Sequence, residues 1–132
     1  MIQGLQSEFL KFVRTWFDLA ADGKLAEACA MLDEPTSYGE RWTPARVLGV
    51  LDQTFPPESQ FRRDFPEGPR ITRLDGTSGD PGISSGEFGD SSGYWLDHAV
   101  PLNGRYRDLT AQFEFRRRDG EYAIALQDLH VL

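Results

Sequence analysis

A chain of 132 residues with 12% aromatic and 27% charged side chains carries enough apolar surface to build a core and reads as one domain spanning 1–132. Its formal charge of −7 is shared between both halves, so there is no basic face of the kind nucleic acid requires. Cys29, the only cysteine, excludes an internal disulfide, and no run of about 18 apolar residues exists to span a membrane.

The opening residues, MIQGLQSEFLKF, contain neither a basic leader nor an unbroken apolar stretch. With a lone thiol, this sets the expectation of a reducing, cytoplasmic setting. Leu5, Phe9, Phe12, Val13, Trp16, Phe17 and Ala20 then recur at helical spacing and form one wide apolar stripe, closed by Gly23. Leu25, Ala28, Cys29 and Leu32 predict a second, shorter helix ending before Pro35, with Cys29 an inert thiol on its buried side. Thr43-Pro44 is a cap followed by proline at the first helical position, and Val47, Leu48, Leu51 and Phe55 supply the buried face. The pair Pro56-Pro57 stops that helix.

Strand patterning follows. RITRL (70–74) predicts a short strand, and residues 75–93 hold six glycines and five serines, the composition of a long solvated loop with room for a brief edge strand near Ile83 to Phe88. Asn103-Gly104 and Asp119-Gly120 each sit between alternating segments and mark tight hairpin turns. They predict a meander of three strands over 94–102, 105–117 and 121–131. The fold class is therefore α+β, with N-terminal helices packed on a bent, mainly antiparallel sheet.

Two-residue turns at both places fix a register. Tyr94 then faces Phe113, Leu96 faces Ala111 and His98 faces Leu109; across the second turn Phe113 meets Leu126, Ala111 meets Asp128 and Leu109 meets His130. One face collects Tyr94, Leu96, Phe113, Phe115, Ile124 and Leu126. The other collects Asp97, Thr110, Gln112, Glu114, Arg116 and Gln127, with Trp95 and Leu129 as apolar exceptions that suggest a homodimer surface. In this register the only two histidines, His98 and His130, lie about 10 Å apart on the inner face, with Asp128 beside them. A three-residue loop at Arg118-Asp119-Gly120 is the other reading, and it turns Asp128 and His130 outward while setting Ala123, Ala125 and Leu129 toward the core.

Helix texture in FVRTWFDLAADGKLAEACAMLDEP, followed by a meander ending in DGEYAIALQDLHVL, resembles the NTF2-like (cystatin-like) superfamily. More narrowly, VPLNGRYRDLTAQFEF together with DLHVL resembles a small uncharacterised bacterial domain family. The wider resemblance implies a cone-shaped sheet around an internal pocket, and enzymes of that superfamily use Asp-His or Tyr-Asp groups for proton transfer. Candidate catalytic residues are accordingly His130, Asp128 and His98, and candidate ligand-binding residues are Tyr94, His98, Phe113, Asp128 and His130; as plain structural groups they would simply hold the chain end.

No metal site is expected, because imidazoles 10 Å apart cannot share a zinc ion, and no cofactor is implied. Calcium-loop, phosphate-loop and G-x-S-x-G patterns are missing. Arg62, Arg63, Arg70, Arg73 and Arg116 to Arg118 read as solvated surface. Together these features point to a binding module of accessory or immunity type, with an unknown protein partner or a small molecule as its ligand. The alternative is a small-molecule lyase or isomerase using the His/Asp group.

Overall fold

The computed structural model describes residue 1 and residues 6–131, with the side chain of Gln6 left aside; Leu5, the first residue of the expected stripe, and Leu132 lie outside the described residues. Helix α1 spans Gln6–Ala21 and buries Phe9, Phe12, Val13, Trp16 and Phe17. At its end Gly23 adopts φ 77°, which returns the Lys24 N–H to the Leu19 carbonyl at 2.9 Å. Helix α2 is Leu25–Ala30 and α3 is Pro44–Thr54, where the Thr43 hydroxyl accepts from the Arg46 N–H at 3.2 Å.

Leu48 is 51% exposed rather than buried, because α3 meets α2 and the last strand only along a line through Val47 and Leu51. A fourth helix, α4 at Gln60–Asp64, was not foreseen; Ser59 caps it, accepting from the Arg62 N–H at 3.3 Å. Its Phe61 packs between Phe55 and Phe65, with ring centroids 4.3 and 5.0 Å away.

Four antiparallel strands, β1 (Ser84–Glu87), β2 (Gly93–Leu102), β3 (Arg105–Arg118) and β4 (Glu121–Val131), lie side by side in chain order. The α+β class and the C-terminal meander are as expected. Both hairpins turn in two residues, with φ of 52° and 80° at Asn103-Gly104 and 50° and 84° at Asp119-Gly120, the double left-handed geometry that matches strand twist. RITRL is not a strand. Only Ile71 bridges to Leu102, and Thr72 donates to the Pro101 carbonyl at 3.0 Å; Pro101 has no N–H to return, so a ladder cannot propagate there. The free edge of β2 is instead covered in pieces, by β1 along Tyr94 to Asp97, by the Pro81 carbonyl at Ala99 and by residues 70–72 at its end.

The inner face of the sheet is filled by α1. Phe9 stacks on Phe115 at 4.2 Å, and Phe12, Trp16 and Phe17 each meet Phe113 edge-on at 5.7 to 6.3 Å. Leu96, Leu109, Ile124 and Leu126 complete a dry aromatic core.

Both hairpins slip out of their turn-defined register. Between β2 and β3, Leu102↔Arg105 and Pro101↔Tyr106 obey the turn, but Ala99 pairs with Thr110, His98 with Ala111, Leu96 with Phe113 and Tyr94 with Phe115. The displacement is two residues, so Tyr94, Leu96 and His98 keep the face that the turn predicts. Between β3 and β4 the turn register holds from Arg118↔Glu121 to Phe113↔Leu126; beyond it, Gln112 pairs with Asp128, Ala111 with Leu129 and Thr110 with His130. Here one extra residue sits in β4 at Gln127, and a displacement of one inverts everything after it.

Candidate functional site

The bulge at Gln127 separates the residues expected to share a site. Leu129, expected on the outer face, is 5% exposed within the core, while Asp128 and His130 are turned to the outer face. His98 stays inside at 1% exposure. The two histidines therefore sit beside neighbouring residues of β3, Ala111 and Thr110, on opposite sides of the sheet. The shared inner row, and the acid/base group built from His98, Asp128 and His130, is corrected accordingly.

Asp128 and His130 do pair with each other, at 3.2 Å between carboxylate and Nδ1, but on the wetter side. Tyr94 belongs to a different end of the inner face, packed against Phe9 and Tyr122 at 5.4 and 5.8 Å, some 13 Å along β2 from His98. Phe113 is wholly buried among α1 aromatics. With Leu129 inside, Trp95 has lost its expected partner in an outer apolar patch.

The inner face opens at a recess of about 360 Å³ beside the second half of α1. Arg14 and Asp18 enter it from α1, Leu74, Asp75 and Pro81 from the loop, His98 from β2 and Tyr106 from β3. His98 and Tyr106 meet here, with ring centroids 5.8 Å apart, and Phe17 packs on the imidazole at 5.2 Å.

His98 Nδ1 lies 2.8 Å from the Ala99 carbonyl, so it must be the protonated nitrogen, and in the neutral ring Nε2 is left as an acceptor. Burial pulls the imidazole pKa below its usual value; the Ala99 bond works the other way, and the nearby charge of Arg14 adds a smaller push downward. Burial also pushes the Tyr106 phenol up, which keeps it a hydrogen-bond donor at neutral pH.

The acids of this recess are already committed. Arg73 lies 2.7 Å from Asp22, 3.6 Å from Asp18 and 4.0 Å from Asp75, and the Leu74 N–H donates to Asp18 at 3.3 Å. This latch ties the glycine-rich loop to α1. Arg14, by contrast, enters no ion pair among the described residues. Nothing in the sequence brought Arg14, Asp18 or Tyr106 forward. Arg14 and Asp18, one helical turn apart, flank the apolar stripe of α1, and that spacing was the available signal.

Several other charges are paired. Arg116 lies 3.2 Å from Glu34 and 3.1 Å from Glu114, Arg118 lies 2.8 Å from Glu34, and Arg62 lies 2.8 Å from Asp52. Among the described residues, no group of three or more His, Cys, Asp or Glu could hold a metal ion, and no helix is long and apolar enough to cross a membrane. Compared with protein-family models, curated proteins and solved structures, the chain matches none of them.

Proposed function

We propose that the chain is a binding module of NTF2-like type, with the recess over His98 as its small-molecule site. The observation that carries this reading is a buried neutral imidazole lining the recess, with one nitrogen taken by Ala99 and the other left as an acceptor, beside the hydroxyl of Tyr106 and the guanidinium of Arg14, which enters no ion pair among the described residues. That set complements a small organic acid bearing an O–H or N–H donor. Arg14 would meet the carboxylate, His98 Nε2 would accept from the donor, and Tyr106 would donate to a remaining oxygen.

Lyase or isomerase chemistry is less well supported. A histidine base gains its strength from a carboxylate that orients it and stabilises its charged form. His98 instead rests on a backbone carbonyl, and Asp18 and Asp75 are engaged by Arg73. The imidazole–carboxylate pair His130–Asp128 lies across the sheet from the recess. An accessory or immunity-type role, neutralising a protein partner, would use that opposite face.

A thermal-shift series with small 2-hydroxy and 2-amino acids tests the proposal. A true ligand raises the melting temperature in proportion to its excess over Kd. The shift should vanish in Arg14→Gln, which is exposed and safe for folding, and in His98→Leu. A flat response across the series, or a shift that survives both substitutions, would reject the recess as the site.

A further inference from the structure

The outer face of the sheet carries a second recess, of about 290 Å³, independent of the first. Phe88 and Trp95 form its aromatic walls, Asp97 and Glu114 its acidic ones, and Gln112 lies between. Cross-strand pairing builds the arrangement: Trp95 stands opposite Glu114, and Asp97 opposite Gln112, which in turn faces Asp128.

Charge accounting singles out Asp97. Glu114 already accepts from Arg116 at 3.1 Å, and Asp128 receives the Leu129 N–H at 2.8 Å with His130 alongside at 3.2 Å. Asp97 bonds only to the neutral side chain of Gln112 and has no Lys or Arg within 4.0 Å among the described residues. The positive group it feels is the imidazole of His130, itself paired with Asp128, and a half-buried carboxylate so weakly compensated is costly unless something cationic completes it. Its pKa is pushed up by burial, in keeping with that cost.

Trp95 rests on the neighbouring strand. Its indole lies against Gly86 of β1, with ring atoms 3.0 Å from where a Cβ would stand, so a side chain at that position would push the ring aside by a few tenths of an ångström. The result is an indole laid against β1 next to a carboxylate that no lysine or arginine of the described residues pairs.

We infer that this recess seats an arginine side chain presented by a basic partner protein. Guanidinium fits better than ammonium. It is planar and weakly hydrated, so it stacks on an indole face while its edge donates to a carboxylate, and here the Asp97 carboxylate and the Gln112 carbonyl are both at hand. The net charge of −7 adds long-range attraction for such a partner. The inference rests on reading the chain as a binding module, but on different residues from the His98 recess, so either site can fail alone.

The test uses three end-blocked glycine pentapeptides that differ only at the centre: arginine, its uncharged isostere citrulline, or lysine. Binding is followed through the Trp95 indole N–H resonance, assigned with Trp95→Phe; Trp16 and Trp42 are buried in the core and do not report on this face. The arginine peptide should move that resonance saturably and the citrulline peptide should not. Asp97→Asn should weaken binding at least about tenfold with the melting temperature retained, and Gly86→Val, which displaces the indole, should weaken it as well. No movement with arginine, equal movement with citrulline, lysine binding as tightly as arginine, or indifference to Asp97→Asn would each overturn the inference.

Discussion

The two hairpins of this sheet differ by one residue of irregularity, and that residue decides where the chemistry lies. The first, β2–β3, slips by two and leaves His98 on the face its turn predicted. The second, β3–β4, slips by one and carries Asp128 and His130 to the other side. A side-chain period of two makes an even slip invisible to face assignment and an odd slip decisive.

The odd slip is stabilised by contacts at the bulge. The Leu126 carbonyl accepts from the Trp42 indole N–H at 2.7 Å, and the Gln127 amide oxygen accepts from the Ser37 N–H at 2.9 Å. A backbone carbonyl on the open edge of β4 and the side chain of the inserted Gln127 are thus bonded by the segment between α2 and α3.

Phe113 is where the comparison breaks hardest. It pairs with Leu96 and Leu126, stands immediately before the odd slip, and its ring touches three aromatics of α1. Phe113→Ala should cost about 3–5 kcal/mol in urea unfolding. Its neighbour Gln112 points to the outer face, and Gln112→Ala should cost no more than about 1 kcal/mol. Similar losses at the two positions would mean that the faces are not divided as described.

Deleting Gln127 sharpens the second hairpin. In an ordinary strand a deletion inverts all that follows, but here it removes the extra residue and leaves Asp128 opposite Gln112, Leu129 opposite Ala111 and His130 opposite Thr110. The expected loss is roughly 1–2 kcal/mol, from the bonds to Ser37 and Arg116. His130 should remain open to imidazole-modifying reagents. A collapse of stability, or protection of His130, would show that Gln127 is not the inserted residue.

Much of this architecture was legible from the chain. Asn-Gly and Asp-Gly fixed both turns because few other residue pairs accept two left-handed conformations in a row. The stripe in α1 and the Thr43-Pro44 cap were equally local signals. What escaped was long-range. Leu129 stood out as an apolar residue on a polar face while Asp128 and His130 stood out as polar residues on an apolar one, and a single inserted residue resolves all three anomalies. That coincidence was the sign of a bulge, yet a bulge depends on Trp42 and Ser37, some ninety residues away in the chain for Ser37. The recess over His98 was hidden for a similar reason: Arg14, Asp18 and Tyr106 come from α1 and β3, and no local pattern links them. Helix α4 escaped because five residues are too few to show a period.

The smallest effects are in the pH dependence of stability, where the two faces should respond with opposite sign. His98 has its pKa lowered by burial, so below the ordinary histidine value of about 6.5 the unfolded chain takes up a proton that the folded chain resists. Its contribution to stability is complete above that pH and is lost as the pH falls beneath it. His98→Leu should flatten this part of the melting profile between pH 7 and 5, whatever its absolute stability. Asp97 has its pKa raised by burial, so its contribution is present in acid and is lost as the pH rises from the ordinary carboxylate value through the folded one. Asp97→Asn, which keeps the shape and removes the charge, should therefore melt slightly above the parent protein at pH 7 and level with it near pH 3. A carboxylate that lowers the stability of the free domain is the pattern expected of a group kept for a partner. If Asp97→Asn proves less stable than the parent at pH 7, the carboxylate has a compensating contact within the fold, and the case for an external cation loses its energetic basis.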